Sequence, residues 1–313
     1  MKIILNLAAL LCTTTSLYAG PKIAIANYGP HASLDKTIQG FKAELQDEGF
    51  KDIDYSESQV NFEQSLIPQM ITKLSAEKPE VILVVTTPVA EAASHKVKNI
   101  PLVFAAISDP VAAGLLKDAN QPGSNITGAS EKQDLGALLD FAKRLLPHAK
   151  RIGLLYAVGE SNDKALLESM KKAAADKGME LVAVGVDHAR NVGLLMNKFK
   201  GQVDFIYVGT SGPIQPSLPT IASLAKKMKI PVINADSQAV QDNLVLASYG
   251  VSYEKMGRNA GKIAGQILNG KPISEIPPLN PAASDHEGFI SMKVLNDLKL
   301  ELPKDLTNVT VIE

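Results

Sequence analysis

The chain contains the same β–α unit twice, and that duplication restricts the possible fold more than any other feature. The first copy opens with the apolar run Lys22-Ile23-Ala24-Ile25-Ala26 and the loop Tyr28-Gly29-Pro30-His31. A helical pattern follows, with Leu34, Ile38, Phe41 and Leu45 on one face and Gly49 as its stop. The second copy opens with Arg151-Ile152-Gly153-Leu154-Leu155 and turns at Gly159-Glu160-Ser161-Asn162. It then places Leu166, Met170 and Ala173 on a helix face and stops at Gly178. Buried strand, polar turn, amphipathic helix and glycine terminator recur in that order. The echo continues: Pro79–Val84 is answered by Val203–Val208, and Ile100-Pro101-Leu102-Val103 by Ile230-Pro231-Val232-Ile233. Repetition of βα units at half-length predicts two similar α/β lobes built on parallel sheets.

A chain of 313 residues can bury one large core or two medium ones, and the duplication favours two. The formal net charge of −1 supplies no basic field for nucleic acid or an anionic membrane. Trp is absent and aromatics make up 5%, too few for a base-stacking groove or a carbohydrate platform. Met1-Lys2, the short apolar stretch Ile3–Cys12 and Leu17-Tyr18-Ala19 read as a secretory signal peptide over residues 1–19, the alternative being an N-terminal membrane anchor. Cys12 is the only cysteine, and Leu10-Leu11 before it lacks the small residue of a lipoprotein processing site. The mature chain is therefore expected to be cysteine-free, periplasmic and without a lipid anchor.

After the first unit, periodicity predicts strands over 51–58, 80–85 and 101–105 and helices over 63–76 and 87–95. The pattern changes near 125–130, where the first crossing between the lobes is expected, and a helix follows over 133–146. The second half predicts strands at 151–156, 180–185, 203–208, 231–234 and 244–249, with helices at 162–176, 191–198 and 216–228. Tyr249-Gly250-Val251 reads as a second crossing, a helix over 252–268 returns to the first lobe, and the proline-rich stretch 272–281 is a third crossing. The expected domains are 20–128 plus 251–281 and 129–250 plus 282–313, joined by a three-segment hinge. Gly257, Gly261 and Gly265 form a small-residue face; Arg258, Asn259 and Lys262 exclude a membrane helix, so the face is expected to pack closely onto a sheet.

Ligands of parallel α/β sheets lie at the carboxyl ends of the strands, where helix N-termini point their free N–H groups. The polar clusters fall there: Tyr28 to His31, Thr86-Thr87-Pro88 and Asp109 in the first lobe, and Glu160, Ser161, Asn162, Thr210-Ser211-Gly212 and Asp236-Ser237 in the second. Each also reads as ordinary local chemistry. Thr87-Pro88 is a standard helix start, Ser161, Asn162 and Asp236 suit caps, Asp109-Pro110 suits a turn, and His31 suits a loop hydrogen bond. No phosphate-binding glycine loop or Gly-x-Ser-x-Gly elbow is present. His31, His95, His148, His188 and His286 lack metal-ligand spacing. No metal or cofactor is expected, and Glu160 with Asp109 is the one pair a hydrolase reading could use.

Six segments resemble the ABC-transporter substrate-binding proteins of the tryptophan/tyrosine-binding type. They are His31-Ala32-Ser33-Leu34-Asp35, Thr87-Pro88-Val89-Ala90, Ser108-Asp109-Pro110-Val111-Ala112, Asn125-Ile126-Thr127-Gly128, Gly159-Glu160-Ser161-Asn162 and Tyr249-Gly250-Val251-Ser252-Tyr253. The resemblance spans essentially the whole mature chain. It implies two Rossmann-like lobes in the type I periplasmic-binding fold, a non-enzymatic monomer that closes its hinge on a solute, and an ABC permease and ATPase as partners. A periplasmic sensor presenting its closed form to a receptor would share that fold. By the same resemblance, Glu160-Ser161-Asn162 and the Thr87 loop would hold an amino acid's carboxylate and backbone, Asp236 would face its ammonium, and Tyr28 and His31 would border its side chain. The expected ligand is a small zwitterion, an aromatic or other apolar amino acid. One departure is Ser211-Gly212, where many members carry Asp-Asn. It either argues against an α-amino acid or moves ammonium recognition onto Asp236 and Asp109.

Overall fold

The computed structural model describes residues 20–304 and 306–313; the expected signal peptide and Cys12 lie outside the described residues. The first sheet contains β1 (Lys22–Asn27), β2 (Asp54–Gln59), β3 (Val81–Val85), β4 (Leu102–Ile107) and β5 (Ile126–Ser130). Its order is β2-β1-β3-β4-β5, with every pair parallel. Helices α1 (Ala32–Asp47), α2 (Ile67–Ala76) and α3 (Thr87–Lys96) connect its strands, and α4 (Leu135–Leu145) follows β5. The second sheet contains β6 (Arg151–Ala157), β7 (Glu180–Val186), β8 (Phe205–Val208), β9 (Val232–Asn234), β10 (Ala247–Val251), β11 (His286–Ser291) and β12 (Val309–Ile312). Around it lie α5 (Ser161–Asp176), α6 (Val192–Leu195), α7 (Leu218–Met228), α8 (Gln238–Gln241) and α10 (Met292–Asp297), while α9 (Tyr253–Leu268) returns to the first sheet.

The second sheet's order, β12-β11-β10-β9-β8-β6-β7, contains the first sheet's pattern read from the other edge. β7-β6-β8-β9-β10 corresponds strand for strand to β2-β1-β3-β4-β5, so the repetition seen in sequence is a repetition of topology. The matching helices α1 and α5 are 16 residues each, and Gly49 (φ 92°) and Gly178 (φ 64°) follow their ends in the left-handed region. Glycine stops both helices there because it has no Cβ to clash in that conformation. β3, Val-Ile-Leu-Val-Val, is buried throughout, as a strand covered by helices on both faces must be.

Two sequence expectations are corrected. The stretch near 125–130 is not a connection but β5, the edge strand of the first sheet, and the chain crosses only after it. The small-residue face of α9 packs against α1, not against a sheet. A Cβ at Gly257 would strike the Thr37 carbonyl, and one at Gly40 would strike that of Glu254, so the two helix backbones are in contact. The sheet receives the adjacent face, Met256, Ala260, Ile263 and Ala264.

The three crossings are tied together rather than loose. Leu279 donates to Gly128 (2.9 Å) and accepts from the Ser130 N–H (3.0 Å), which lays the proline-rich segment along β5. Buried His286 accepts from the Asp134 N–H (3.1 Å) and stacks on Tyr249, linking the first crossing to the third. No helix among the described residues is long and apolar enough to cross a membrane.

Candidate functional site

The order of each sheet reverses beside its first strand, so the loops after β1 and β3, and after β6 and β8, diverge there and leave a crevice. The two crevices face each other across one cavity. The first lobe supplies Tyr28 and His31 after β1, Thr86, Thr87 and Pro88 after β3, and Ala106 and Ser108 at the end of β4. The second supplies Glu160 and Asn162 after β6, and Thr210, Ser211, Gly212 and Gln215 after β8. Glu131, on the first crossing, and Tyr253, at the start of α9, complete the wall.

One side of the cavity is apolar. Tyr28 and Phe62 meet edge to face, with ring centroids 5.4 Å apart at 75°, and Leu34, Pro88 and Ala106 extend that surface. Burial lifts the Tyr28 hydroxyl's pKa above the ordinary phenol value, with the nearby Glu160 charge adding to the shift. It therefore stays neutral at physiological pH.

The other side is a set of acceptors. Glu160 is only 5% exposed; its carboxylate accepts from the Gly212 N–H (3.2 Å) and from Asn162 Nδ2 (3.3 Å). Desolvation raises its pKa, and those two bonds oppose the rise. A Cβ at Gly212 would come within 2.5 Å of the Tyr28 ring and 2.7 Å of the Glu160 carboxylate. The space a side chain at 212 would need is thus taken by Tyr28 and Glu160. Glu131 is 2% exposed, with one carboxylate oxygen unpartnered; Asn162 Oδ1, Gln215 Oε1 and the hydroxyls of Ser211 and Thr86 are buried without partners too. No lysine or arginine lines the cavity.

The donor end is the start of α3. Thr86, its N-cap, has φ 80° and ψ 157° and makes no side-chain cap bond, so the first N–H groups of the helix have no cap. Ala106, at the matching end of β4, is also left-handed (φ 55°). Two strained, non-glycine residues therefore sit side by side in the cavity wall, the kind of backbone that concentrates at ligand sites.

Of the residues singled out from sequence, Tyr28, His31, Thr87, Glu160, Asn162, Thr210 and Ser211 line this cavity, and Asp109, Ser161 and Asp236 do not. Asp109 caps its own turn, accepting from the N–H groups of Val111 (3.1 Å) and Ala112 (2.9 Å). Ser161 donates across the cleft to Glu91. Asp236 accepts from Ser33 Oγ in the first lobe (2.6 Å) and from the Gln238 N–H (2.9 Å), so both of its oxygens have protein partners. It bridges the lobes and does not present a free carboxylate to the cavity. His31 caps α1 through Nδ1, which accepts from the Ser33 N–H (3.3 Å). Thr86, part of the Thr86-Thr87-Pro88 cluster, lines the cavity as well, whereas sequence reasoning missed Glu131, Phe62, Gln215 and Tyr253.

The lobes are in contact around the cavity. Besides Ser33–Asp236 and Ser161–Glu91, Lys36 reaches Gln238 (3.0 Å), and Thr210 reaches Glu131 (2.7 Å). Among the described residues no cluster of three His, Cys, Asp or Glu side chains is placed to hold a metal ion.

A family profile described as ABC transporter substrate binding protein matches residues 22–310. A tyrosine-binding protein of Clostridioides difficile is 34% identical over 258 residues, covering 82% of this chain and 74% of that one. Among solved structures, an ABC domain from Streptococcus pneumoniae in complex with L-Trp superposes with a TM-score of 0.89 at 26% identity, over 94% of this chain and 100% of that one. A ligand-free, open substrate-binding protein with adhesive properties from Clostridium difficile covers 94% and 99%. Its identity is higher, 32%, but its TM-score is lower, 0.72. The geometry therefore follows the ligand-bound relative over the one nearer in sequence.

Proposed function

The chain belongs to the ABC transporter substrate-binding protein family, and from that premise we propose that it captures an aromatic or other apolar amino acid between its lobes. Members of this family bind small solutes and work with ABC transporter components; they are not enzymes. The fold is the type I periplasmic-binding fold. In our reading, residues 20–128 with 251–281 and 129–250 with 282–313 form the two lobes. Residues 1–19 direct export to the periplasm, and the closed form delivers its solute to a permease and ATPase.

The observation that carries the ligand class is the polarity of one cavity. Buried Glu160 stands among unpartnered acceptors on one side, uncapped helix N–H groups stand on another, and an aromatic pair lies between. The ligand's ammonium faces Glu160. Its carboxylate takes the N–H groups of Thr87 and the first turn of α3, together with the Thr86 hydroxyl. The N-terminus of α5 is the poorer place for a carboxylate, because the carboxyl groups of Glu160, Asp163 and Glu91 already occupy it. The side chain lies against Tyr28 and Phe62. Hinge closure is supported by the lobe-to-lobe hydrogen bonds and by the better superposition on the L-Trp complex.

Titration calorimetry with L-Phe, L-Tyr, L-Trp, L-Leu and the corresponding amines tests this directly. At least one of the amino acids should bind, and its decarboxylated amine should bind more weakly. A charge-assisted bond to Glu160 contributes roughly 1.5–3 kcal/mol, so Glu160→Gln should weaken binding by about ten- to a hundredfold. Failure of every amino acid to bind would remove the ligand class.

A further inference from the structure

We propose that Glu131 is a second acid of the ligand site, which makes the cleft selective for an unsubstituted primary ammonium and passes its arrival to lobe closure through Thr210. This rests on the amino-acid reading given above. Glu131 follows β5 directly, on the first crossing between the lobes, and its N–H donates to the Ile107 carbonyl (2.9 Å), so its backbone is anchored to the end of β4. One carboxylate oxygen, Oε1, accepts from Ser108 Oγ in the first lobe (2.8 Å) and from Thr210 Oγ1 in the second (2.7 Å). The other oxygen, Oε2, is buried in the cavity wall with no partner.

Burial raises the Glu131 pKa, and the bonds from Thr210 and Ser108 oppose the rise. An anion enclosed this way is costly without a counter-charge, and the lining offers no lysine or arginine. An ammonium arriving with the ligand supplies that counter-charge. A primary ammonium carries three N–H donors, and Glu131 Oε2, Glu160 and Asn162 Oδ1 are three of the cavity's acceptors. Each N-methyl group removes one donor and strands one acceptor. Glu131 differs from Glu160 in position as well. Glu160 belongs to the second lobe, while Glu131 lies on the hinge and holds Thr210 of the second lobe against Ser108 of the first. When the ammonium neutralises it, the cost of burying the charge falls, and the Thr210 contact that exists only between closed lobes is favoured.

The test uses the mature chain, its Glu131→Gln and Thr210→Val variants, and L-Phe, L-Tyr and L-Trp with their N-methyl forms. Calorimetry gives affinity, small-angle scattering gives closure, and thermal melting gives folding. Wild type should bind the amino acid and lose at least tenfold on N-methylation. Glu131→Gln should bind the parent at least tenfold more weakly, and its N-methylation penalty should shrink, because the stranded acceptor is no longer an anion. Thr210→Val should bind more weakly and compact less at equal saturation, while keeping the wild-type N-methylation penalty. Wild-type affinity in Glu131→Gln, or an unchanged N-methylation penalty there, would overturn this inference alone. If wild type binds none of the amino acids, the proposed ligand class fails and this inference with it. Should Glu131→Gln melt far below wild type, Thr210→Val decides: unchanged affinity and unchanged compaction would overturn the inference.

Discussion

Asp163 shows how the cleft stores unfavourable charge. It lies in the first turn of α5, buried, where its carboxylate accepts from the Ala157 N–H at the end of β6. Burial pushes its pKa up from 3.8 to about 7; the Ala157 bond opposes the rise, and the neighbouring Glu160 charge adds to it. The folded state therefore holds a proton that the unfolded chain has released above its ordinary pKa. The stabilisation is complete below about pH 4 and is lost as the pH rises through about 7. Asn keeps the acceptor for Ala157 and cannot ionise. Asp163→Asn should raise stability at pH 8 by roughly 1–3 kcal/mol and leave it little changed near pH 4. Melting curves of both proteins across that range provide the check, and parallel pH profiles would contradict it. At this scale the sequence was a partial guide. It identified Glu160 and Thr87, because both stand at strand ends next to helix starts. It could not tell that Asp236 and Asp109 are consumed by protein partners, since a carboxylate at a strand end has the same spacing whether it faces solvent, a cap or a ligand. Glu131 had no sequence signal, because its partners are two hydroxyls distant in the chain, those of Ser108 and Thr210.

At the scale of elements, the contact between α1 and α9 fixes the first lobe's outer layer. Gly40, Gly257 and Gly261 let the two helix backbones touch, and a Cβ at 257 would meet a carbonyl oxygen, which cannot rotate away as a side chain can. Gly257→Ala must therefore separate the helices, although alanine favours helix intrinsically. Overpacking of this kind costs about 1–3 kcal/mol, against a propensity gain of about 1. The melting temperature should fall by a few degrees, while Gly270→Ala, beyond the helix in open space but at φ 86°, separates backbone strain from packing. An unchanged melting temperature for Gly257→Ala would show that the seam can open freely. Most elements were legible because the chain writes them twice, so each weak pattern is supported by its counterpart. What escaped lacks a counterpart or a period. β5, Ile-Thr-Gly-Ala-Ser, is buried on both faces but too short and polar to stand out. β11 and β12 are additions to the repeated five-strand pattern, and β11 runs antiparallel to β10 where alternation of β and α predicts parallel strands. The glycine face of α9 was recognised, but nothing local shows whether a helix or a sheet covers it.

For the whole molecule, the arrangement that matters is two lobes meeting through a few polar contacts around a cavity. Ser33–Asp236 is the most buried of these, with Asp236 4% exposed and Ser33 2% exposed, and its members are 203 residues apart in the chain. Neither oxygen of Asp236 is left for a ligand, so its contribution to binding runs through closure. A latch of this kind changes the fraction of molecules able to hold ligand with both lobes, and apparent affinity scales with that fraction. Ser33→Ala removes the hydroxyl and leaves a buried carboxylate short of one partner in the closed form only. Losing a hydrogen bond to a charged group costs about 1.5–3 kcal/mol, or on the order of ten- to a hundredfold in affinity. Because the Ser33 hydroxyl is engaged by Asp236, every ligand should weaken by the same factor, and the order of preference among amino acids should stay as in wild type. Most of the change should appear as faster dissociation. Ligand-bound Ser33→Ala should also show a larger radius of gyration than bound wild type at subsaturating ligand, converging on it as saturation is reached. A variant that reorders the ligands, instead of weakening them uniformly, would mean that Ser33 touches the solute itself, and the latch would have to be reassigned as part of the binding surface.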